Sequence, residues 1–154
     1  MPGYLFTESE FAELLIRRSY PERTDLESAL IRDYLLEHLS EFDRVEFSVR
    51  IGEGLTPDPS HLPAVQRNAV ESSKKRIDLV GWFGHLVTLV EAKTVISHAV
   101  MGQLLMDRTV WMQQHPDDVE PRLVAIGRRG TPQDIDVLRA HGIDVYLYET
   151  PVTR

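Results

Sequence analysis

Two carboxylates stand among apolar residues in the segment 76–93, which reads RIDLVGWFGHLVTLVEAK. Asp78 lies in the first apolar run and Glu91 in the second, with Gly84 and His85 between the runs. If Gly84 and His85 form a two-residue hairpin loop, counting outward along the strands places Asp78 directly opposite Glu91. Directly opposed residues have Cβ atoms ~4.5 to 5.5 Å apart, and two like charges there are unfavourable unless something neutralises them.

A divalent cation would neutralise this pair of acids. Mg²⁺ fits because it binds through one or two carboxylates and leaves its other positions to water and phosphate oxygens. Because side chains alternate along a strand, Lys93 shares a face with Glu91, and Arg76 shares a face with Asp78. The acids would hold the metal, while Lys93 would stabilise developing negative charge or orient the attacking water in the hydrolysis of a phosphate ester.

The alternative is a local ion pair, in which Asp78 or Glu91 binds Arg76 or Lys93 on an exposed face of the sheet. The other residues of this face are all apolar, namely Val80, Trp82, Val87 and Leu89. An acid buried among them without a strong partner would be costly. The pattern therefore favours the metal site, provided that no bulge shifts the pairing of the strands.

The first elements that would position these acids are marked by caps and alternation. Thr24 and Glu27 have the spacing of a capping box and predict a helix over 26–39, and an earlier box at 7–10 predicts a helix over 11–19. Segment 44–51 alternates and predicts a half-buried strand. Its apolar residues would share one face: Val45, Phe47, Val49 and Ile51. Residues 52–64 hold three prolines and two glycines and predict irregular structure.

The elements after the acids alternate between helix and strand. Ser97 can cap a helix over 98–114, and an apolar strand is predicted over 121–127. Pro132 would start a helix that Gly142 ends, and a last strand is predicted over 143–149. The order ααβββαβαβ predicts one α/β domain that covers residues 1–154.

Asp78 and, thirteen positions later, Glu91, Ala92 and Lys93 resemble the Asp…Glu-X-Lys signature of the PD-(D/E)XK nuclease superfamily. This resemblance covers about residues 24–128. It implies the restriction-endonuclease-like fold, which is an αβββαβ core with a mixed central sheet flanked by helices. Ile77 stands where the proline that names the motif would be. The implied activity is hydrolysis of phosphodiester bonds with Mg²⁺, for which Mn²⁺ would substitute, on DNA in preference to RNA.

Two further residues match positions of that superfamily. Glu27 corresponds to a glutamate on the first core helix that joins the metal ligands, with Glu37 as the second candidate, but Glu27 also completes a capping box. Gln103 corresponds to a glutamine on the helix after the Glu-X-Lys strand, and it could equally be a buried glutamine bonded to backbone. The predicted site thus contains Asp78, Glu91 and Glu27 as metal ligands, with Lys93 and Gln103 beside them.

Composition limits the other possibilities. The chain has no cysteine, which excludes disulfides and thiolate metal sites. Its net charge of −7 argues against a wholly basic nucleic-acid surface, although short basic clusters occur at 17–18, 74–76 and 128–129. Only the position of these clusters relative to a site would distinguish binding from plain surface. No apolar run is long enough to span a bilayer or to form a signal core, so we expect no membrane contact and a cytoplasmic protein.

Two rival functions remain beside the nuclease. One is a non-catalytic nucleic-acid-binding or assembly module with the same fold, and the other is an interaction protein whose acids form ordinary ion pairs. Titration with metal would separate both from the enzyme. We also expect a homodimer, because one acid cluster serves one strand of a duplex and the helix over 98–114 has apolar residues around much of its circumference.

Overall fold

The computed structural model describes residues 24–150. In chain order the elements are α1 (Asp25–His38), a 3-10 turn (Leu39–Glu41), β1 (Arg44–Ile51), α2 (Pro63–Ser73), β2 (Lys75–Phe83), β3 (Leu86–Ala92), β4 (Val95–Ile96), α3 (His98–Gln114), β5 (Arg122–Gly127), β6 (Arg129–Gly130), α4 (Pro132–Ala140) and β7 (Ile143–Leu147). The central sheet has the strand order β1-β2-β3-β5-β7, and β4 pairs with β6 beside it. Strands β1, β2 and β3 are antiparallel, whereas β3, β5 and β7 are parallel.

This arrangement is the predicted α/β fold. The core order α-β-β-β-α-β is formed by α1, β1, β2, β3, α3 and β5, and the sheet is mixed with helices on both faces. The restriction-endonuclease-like core is therefore confirmed. The helix predicted over 11–19 lies outside the described residues. No helix between residues 24 and 150 is both long and apolar enough to cross a membrane.

Helix α1 covers one face of the sheet and begins with the predicted capping box. The Glu27 amide donates to Thr24 Oγ1 at 3.2 Å, and the Thr24 amide donates to Glu27 Oε2 at 3.4 Å. These bonds satisfy two of the amides that lack partners at a helix start. The buried side chains of α1 then pack on residues of β2, β3 and β5, and they include Leu30, Ile31, Tyr34 and Leu35.

The hairpin of β2 and β3 turns at Gly84 and His85, as the sequence predicts. Phe83 pairs with Leu86, and the ladder continues to Leu79 opposite Val90. Gly84 has φ +58°, which suits the first position of a two-residue turn that needs positive φ. The pairing therefore reaches the Asp78 end of β2 without a bulge.

Strand β1 departs from the predicted alternation. Val45 and Phe47 pack with the α1 cluster, but Val49 and Ile51 pack on the opposite face. The change occurs at Ser48, whose φ is +53°. One residue with positive φ interrupts the alternation of a strand, so the prediction of a single apolar face was wrong.

The connection from β1 to β2 contains a helix that the sequence did not predict. Residues 52–62 are irregular, as expected, but α2 then runs over Pro63–Ser73. None of its residues is buried. A helix that packs no apolar stripe against a core need not repeat apolar residues at helical spacing. The sequence pattern therefore did not predict α2.

Helices α3 and α4 cover the other face of the sheet. Ser97 Oγ accepts from the Ala99 amide and caps α3, and Thr131 Oγ1 caps α4 by accepting from the Asp134 amide. Gly142, with φ +76°, follows the end of α4. The residues of α3 that are buried against the sheet are Val100, Leu104, Asp107 and Trp111. One of these four residues is an acid.

Candidate active site

Asp78 lies on β2 at the point where the ladder between β2 and β3 stops. The last paired residues are Leu79 and Val90. Beyond them, the Ala92 amide of β3 donates to Asp78 Oδ2 at 2.7 Å. The carboxylate thus replaces a backbone acceptor. Asp78 is only 3% exposed. Its side chain is held against β3 next to the segment that carries Glu91.

Glu91 lies on β3 between β2 and β5 and is fully buried. Neither of its carboxylate oxygens has a hydrogen-bond partner. Burial, the charge of Asp78 and the adjacent Asp107 carboxyl group together raise the pKa of Glu91 to about 12, and burial has the largest effect. The metal-free protein therefore holds Glu91 as a neutral acid, because an ionised carboxylate without a partner would be poorly solvated there.

Asp107 is a third acid that sequence reasoning missed. It lies on α3, is only 1% exposed, and its Oδ2 atom has no hydrogen-bond partner. Burial raises its pKa, and the Asp78 charge acts in the same direction, whereas contact with Glu91 and the charge of Lys75 lower it. A signal was present, because Asp107 continues the helical spacing of Val100, Leu104 and Trp111 and so occupies a position of the buried stripe.

Lys93 follows β3 and has an exposed side chain. Its amide donates to Ile126 O at 3.0 Å, which extends the alignment of β3 with β5 by one residue. No carboxylate among residues 24–150 forms an ion pair with its amine. A Cβ atom at Gly127 would lie 2.6 Å from the Lys93 carbonyl oxygen, so only glycine lets β5 pass this close to the backbone of Lys93.

The structure does not gather the other predicted residues into one cluster. Glu27 lies on α1, on the opposite face of the sheet from α3, and its carboxylate completes the capping box. Glu37 accepts from the Tyr148 hydroxyl at 3.1 Å. Gln103 is half-buried on α3, one turn before Asp107. Across residues 24–150, no three acids or histidines are arranged to hold one metal ion. The roles of Glu27 and Gln103 stay predictions.

The central part of the arrangement nevertheless has a clear chemical meaning. Two acidic side chains, Asp78 and Glu91, adjoin one another, and both oxygens of Glu91 lack a partner. Unpartnered buried carboxylate oxygens are suitable ligands for a hard divalent cation, which would replace the proton of Glu91. The donor set thus fits Mg²⁺ or Mn²⁺ with two protein ligands and its remaining positions left to water and substrate.

The fold class can be set beside known proteins. The chain has the core order of the restriction-endonuclease-like fold. No family model matches it, and no curated protein matches it in sequence.

Three solved structures are similar to it. A repair endonuclease from Pyrococcus abyssi is 14% identical with a TM-score of 0.45, over 85% of this chain and 49% of that one. EndoMS in a complex with double-stranded DNA is 14% identical with a TM-score of 0.46, over 90% of this chain and 51% of that one. A protein of unknown function is 13% identical with a TM-score of 0.41, over 80% and 60% of the two chains. This chain thus spans about half the length of the first two.

Proposed function

We propose that the chain is a metal-dependent nuclease that hydrolyses phosphodiester bonds, with DNA as its substrate in preference to RNA. The observation that carries the proposal is the buried carboxylate of Glu91, which has no partner and lies beside Asp78. The resemblance of Asp78, Glu91 and Lys93 to the Asp…Glu-X-Lys signature supplies the substrate class. The two acids would form a metal site, and the resemblance to the signature indicates that the reaction is phosphodiester hydrolysis.

Each side chain then has a distinct role. Asp78 and Glu91 would hold Mg²⁺, which supplies a polarised phosphoryl oxygen and a more acidic water. Asp78 is oriented by the hydrogen bond that the Ala92 amide donates to its Oδ2 atom. Lys93 is exposed at the end of β3, where its amine can reach a phosphate from solvent and stabilise the negative charge of the transition state.

The test is cleavage by the purified chain of single-stranded, duplex, nicked and branched DNA and of RNA, with Mg²⁺, Mn²⁺ or EDTA. We expect cleavage of at least one DNA substrate that depends on the metal. Asp78→Asn, Glu91→Gln and Lys93→Ala should each abolish it, because they remove the metal ligands or the cation. Glu46→Gln is a matched control, since its side chain is half-exposed on β1 and binds Arg44 only at 3.8 Å. Equal cleavage by all four variants would indicate a contaminating nuclease and refute the assignment.

The burial of Glu91 also favours a rival, in which the acids are structural and the chain is a non-catalytic nucleic-acid-binding or assembly module. Calorimetric titration with Mg²⁺ and Mn²⁺ separates the two. The nuclease requires metal binding that Asp78→Asn and Glu91→Gln remove. If the wild-type chain binds nucleic acid but no divalent metal, the rival is correct.

We propose further that the working form is a homodimer. One acid pair serves one strand, and a two-fold pair of chains is a simple way to cut both strands of a duplex. The apolar residues of α3 give less support than the sequence suggested. Most of them are buried or half-buried within the described part of the chain, and Met106 is the one more than half exposed. The homodimer proposal therefore depends mainly on the argument that two acid pairs are needed to cut the two strands of a DNA duplex.

A further inference from the structure

A groove of about 580 Å³ lies between the second half of α3 and the end of β1. One wall contains Val110, Gln113 and Gln114 of α3, and the other contains residues 51–55. Lys75, the first residue of β2, and Ser73 also line the groove. The groove thus combines apolar surface, two amide side chains, one cation and one acid, Glu53.

This groove adjoins the buried acids. Val110 lies three residues after Asp107 on α3, so the two are on neighbouring turns of the same side of the helix. Lys75 pairs with Ile51 and lies three residues before Asp78 on β2. The charge of Lys75 also lowers the pKa of Asp107, so the amine is within electrostatic reach of that acid. Lys75 therefore lines the groove and also acts on Asp107, which adjoins Glu91.

The two lysines of the basic cluster 74–76 differ in their surroundings. Lys74 Nζ binds Glu71 Oε1 at 2.6 Å on the surface of α2. Lys75 is half-buried, and among residues 24–150 no carboxylate lies within ion-pair distance of its amine. A half-buried cation without such a partner, on the wall of a groove, is suited to bind an anion from solvent. Of the two lysines, Lys75 is therefore the one whose amine is available to an anion in the groove.

We propose that this groove binds a short single-stranded segment of nucleic acid, and that Lys75 holds its phosphodiester next to Asp78 and Glu91. The inference rests on the proposed function, whose substrate it specifies. A groove of about 580 Å³ is too small to hold a duplex, so each chain would take one strand that is unpaired or frayed. The two walls are close together at Gly52, where a Cβ atom would lie 3.4 Å from Val110 Cγ1.

The test compares Lys75→Ala with Lys74→Ala, its matched neighbour, in fluorescence anisotropy with a labelled oligothymidylate in EDTA, where the proposed cleavage stops. Each phosphate contact on a single strand contributes about 0.7 to the slope of log affinity against log salt. Lys75→Ala should weaken binding and lower that slope by about 0.7, while Lys74→Ala should leave both unchanged. Lys75→Arg should restore most of the affinity, because it keeps the charge.

A second pair of variants guards against a folding defect in Lys75→Ala. Gln113→Glu adds a negative charge to the exposed wall of the groove and should weaken binding severalfold. Thr109→Glu adds the same charge to an exposed position of α3 that does not line the groove, and it should have no such effect.

The possible results separate the groove from the activity. Equal binding by the Lys75 and Lys74 variants overturns the groove assignment, even if the wild-type chain cleaves DNA. Tighter binding of a fully paired duplex than of the single strand overturns it too. If no substrate is cleaved but Lys75→Ala and Gln113→Glu still weaken single-strand binding, the nuclease proposal fails and the groove assignment stands.

Discussion

Replacing Glu91 by glutamine should stabilise the metal-free protein at neutral pH. The fully buried Glu91 has a pKa of about 12 in the folded chain, against 4.5 as its ordinary value. Between these values the folded state keeps the proton and the unfolded state has lost it. Unfolding therefore releases a proton, and the free energy of unfolding falls as the pH rises. Glutamine stays neutral in both states and removes this loss.

The magnitude follows from the titration of the unfolded state. Each pH unit above 4.5 lowers the free energy of unfolding by about 1.4 kcal/mol. At pH 7 the wild-type chain is therefore about 3 kcal/mol less stable than a chain whose side chain at position 91 is always neutral. This figure holds for any folded pKa above 7. Glutamine has nearly the same size and shape as the protonated acid, which keeps the packing. A gain of about 3 kcal/mol corresponds to ~6 to 12 °C in Tm for a chain of this size.

The assay is urea unfolding in EDTA, followed by fluorescence of Trp82 and Trp111, at several pH values between 4.5 and 8. The difference between Glu91→Gln and wild type should be small at pH 4.5 and grow to about 3 kcal/mol at pH 7. Millimolar Mg²⁺ should stabilise the wild-type chain and not the variant. A difference that does not change with pH, or a variant less stable than wild type at pH 7, would refute the reasoning.

Asp33→Asn provides the contrast, because Asp33 is also a buried acid. Its Oδ2 atom accepts from Arg128 at 3.1 Å, and Arg128 also donates to Tyr148 O at 2.8 Å. Removing one charge of a buried pair leaves the other without compensation and costs ~3 kcal/mol. The same acid-to-amide change should therefore destabilise the protein at Asp33 and stabilise it at Glu91.

Three further results are expected. Gly127→Ala should unfold at lower denaturant, since its Cβ atom would lie 2.6 Å from the Lys93 carbonyl oxygen, whereas Gly102→Ala in α3, with nothing within 4 Å, should gain up to ~1 kcal/mol; the reverse order would contradict the close approach of β5. Lys93→Ala should lower kcat by ~100-fold or more while calorimetry shows unchanged Mg²⁺ affinity, and loss of metal binding would make Lys93 structural instead. Light scattering at micromolar concentration should give a dimer mass, and a monomer that persists with DNA bound would favour nicking or single-strand cleavage.

Much of the fold follows from short-range patterns. The cap at Thr24, the turn at Gly84 and the register of β2 against β3 each depend on residues close together in sequence, and the structure has all three. The restriction-endonuclease-like order of core elements follows from the same patterns. Helix α2 escaped prediction because it buries no side chain, and the change of face at Ser48 escaped because positive φ at serine has no sequence signal.

The sequence by itself predicted that Asp78 and Glu91 would be neighbours, because a two-residue turn fixes the register of a hairpin. The observed register reaches Leu79 opposite Val90, and the charge of Asp78 acts on Glu91. Only the tertiary structure decided what surrounds them. It brings Asp107 of α3 against Glu91 and leaves the Glu91 oxygens without hydrogen-bond partners. It also gives Lys74 and Lys75 different surroundings, because Lys74 binds Glu71. These contacts join elements that are distant in the chain. Their geometry depends on how helices pack across the sheet, which no local spacing encodes.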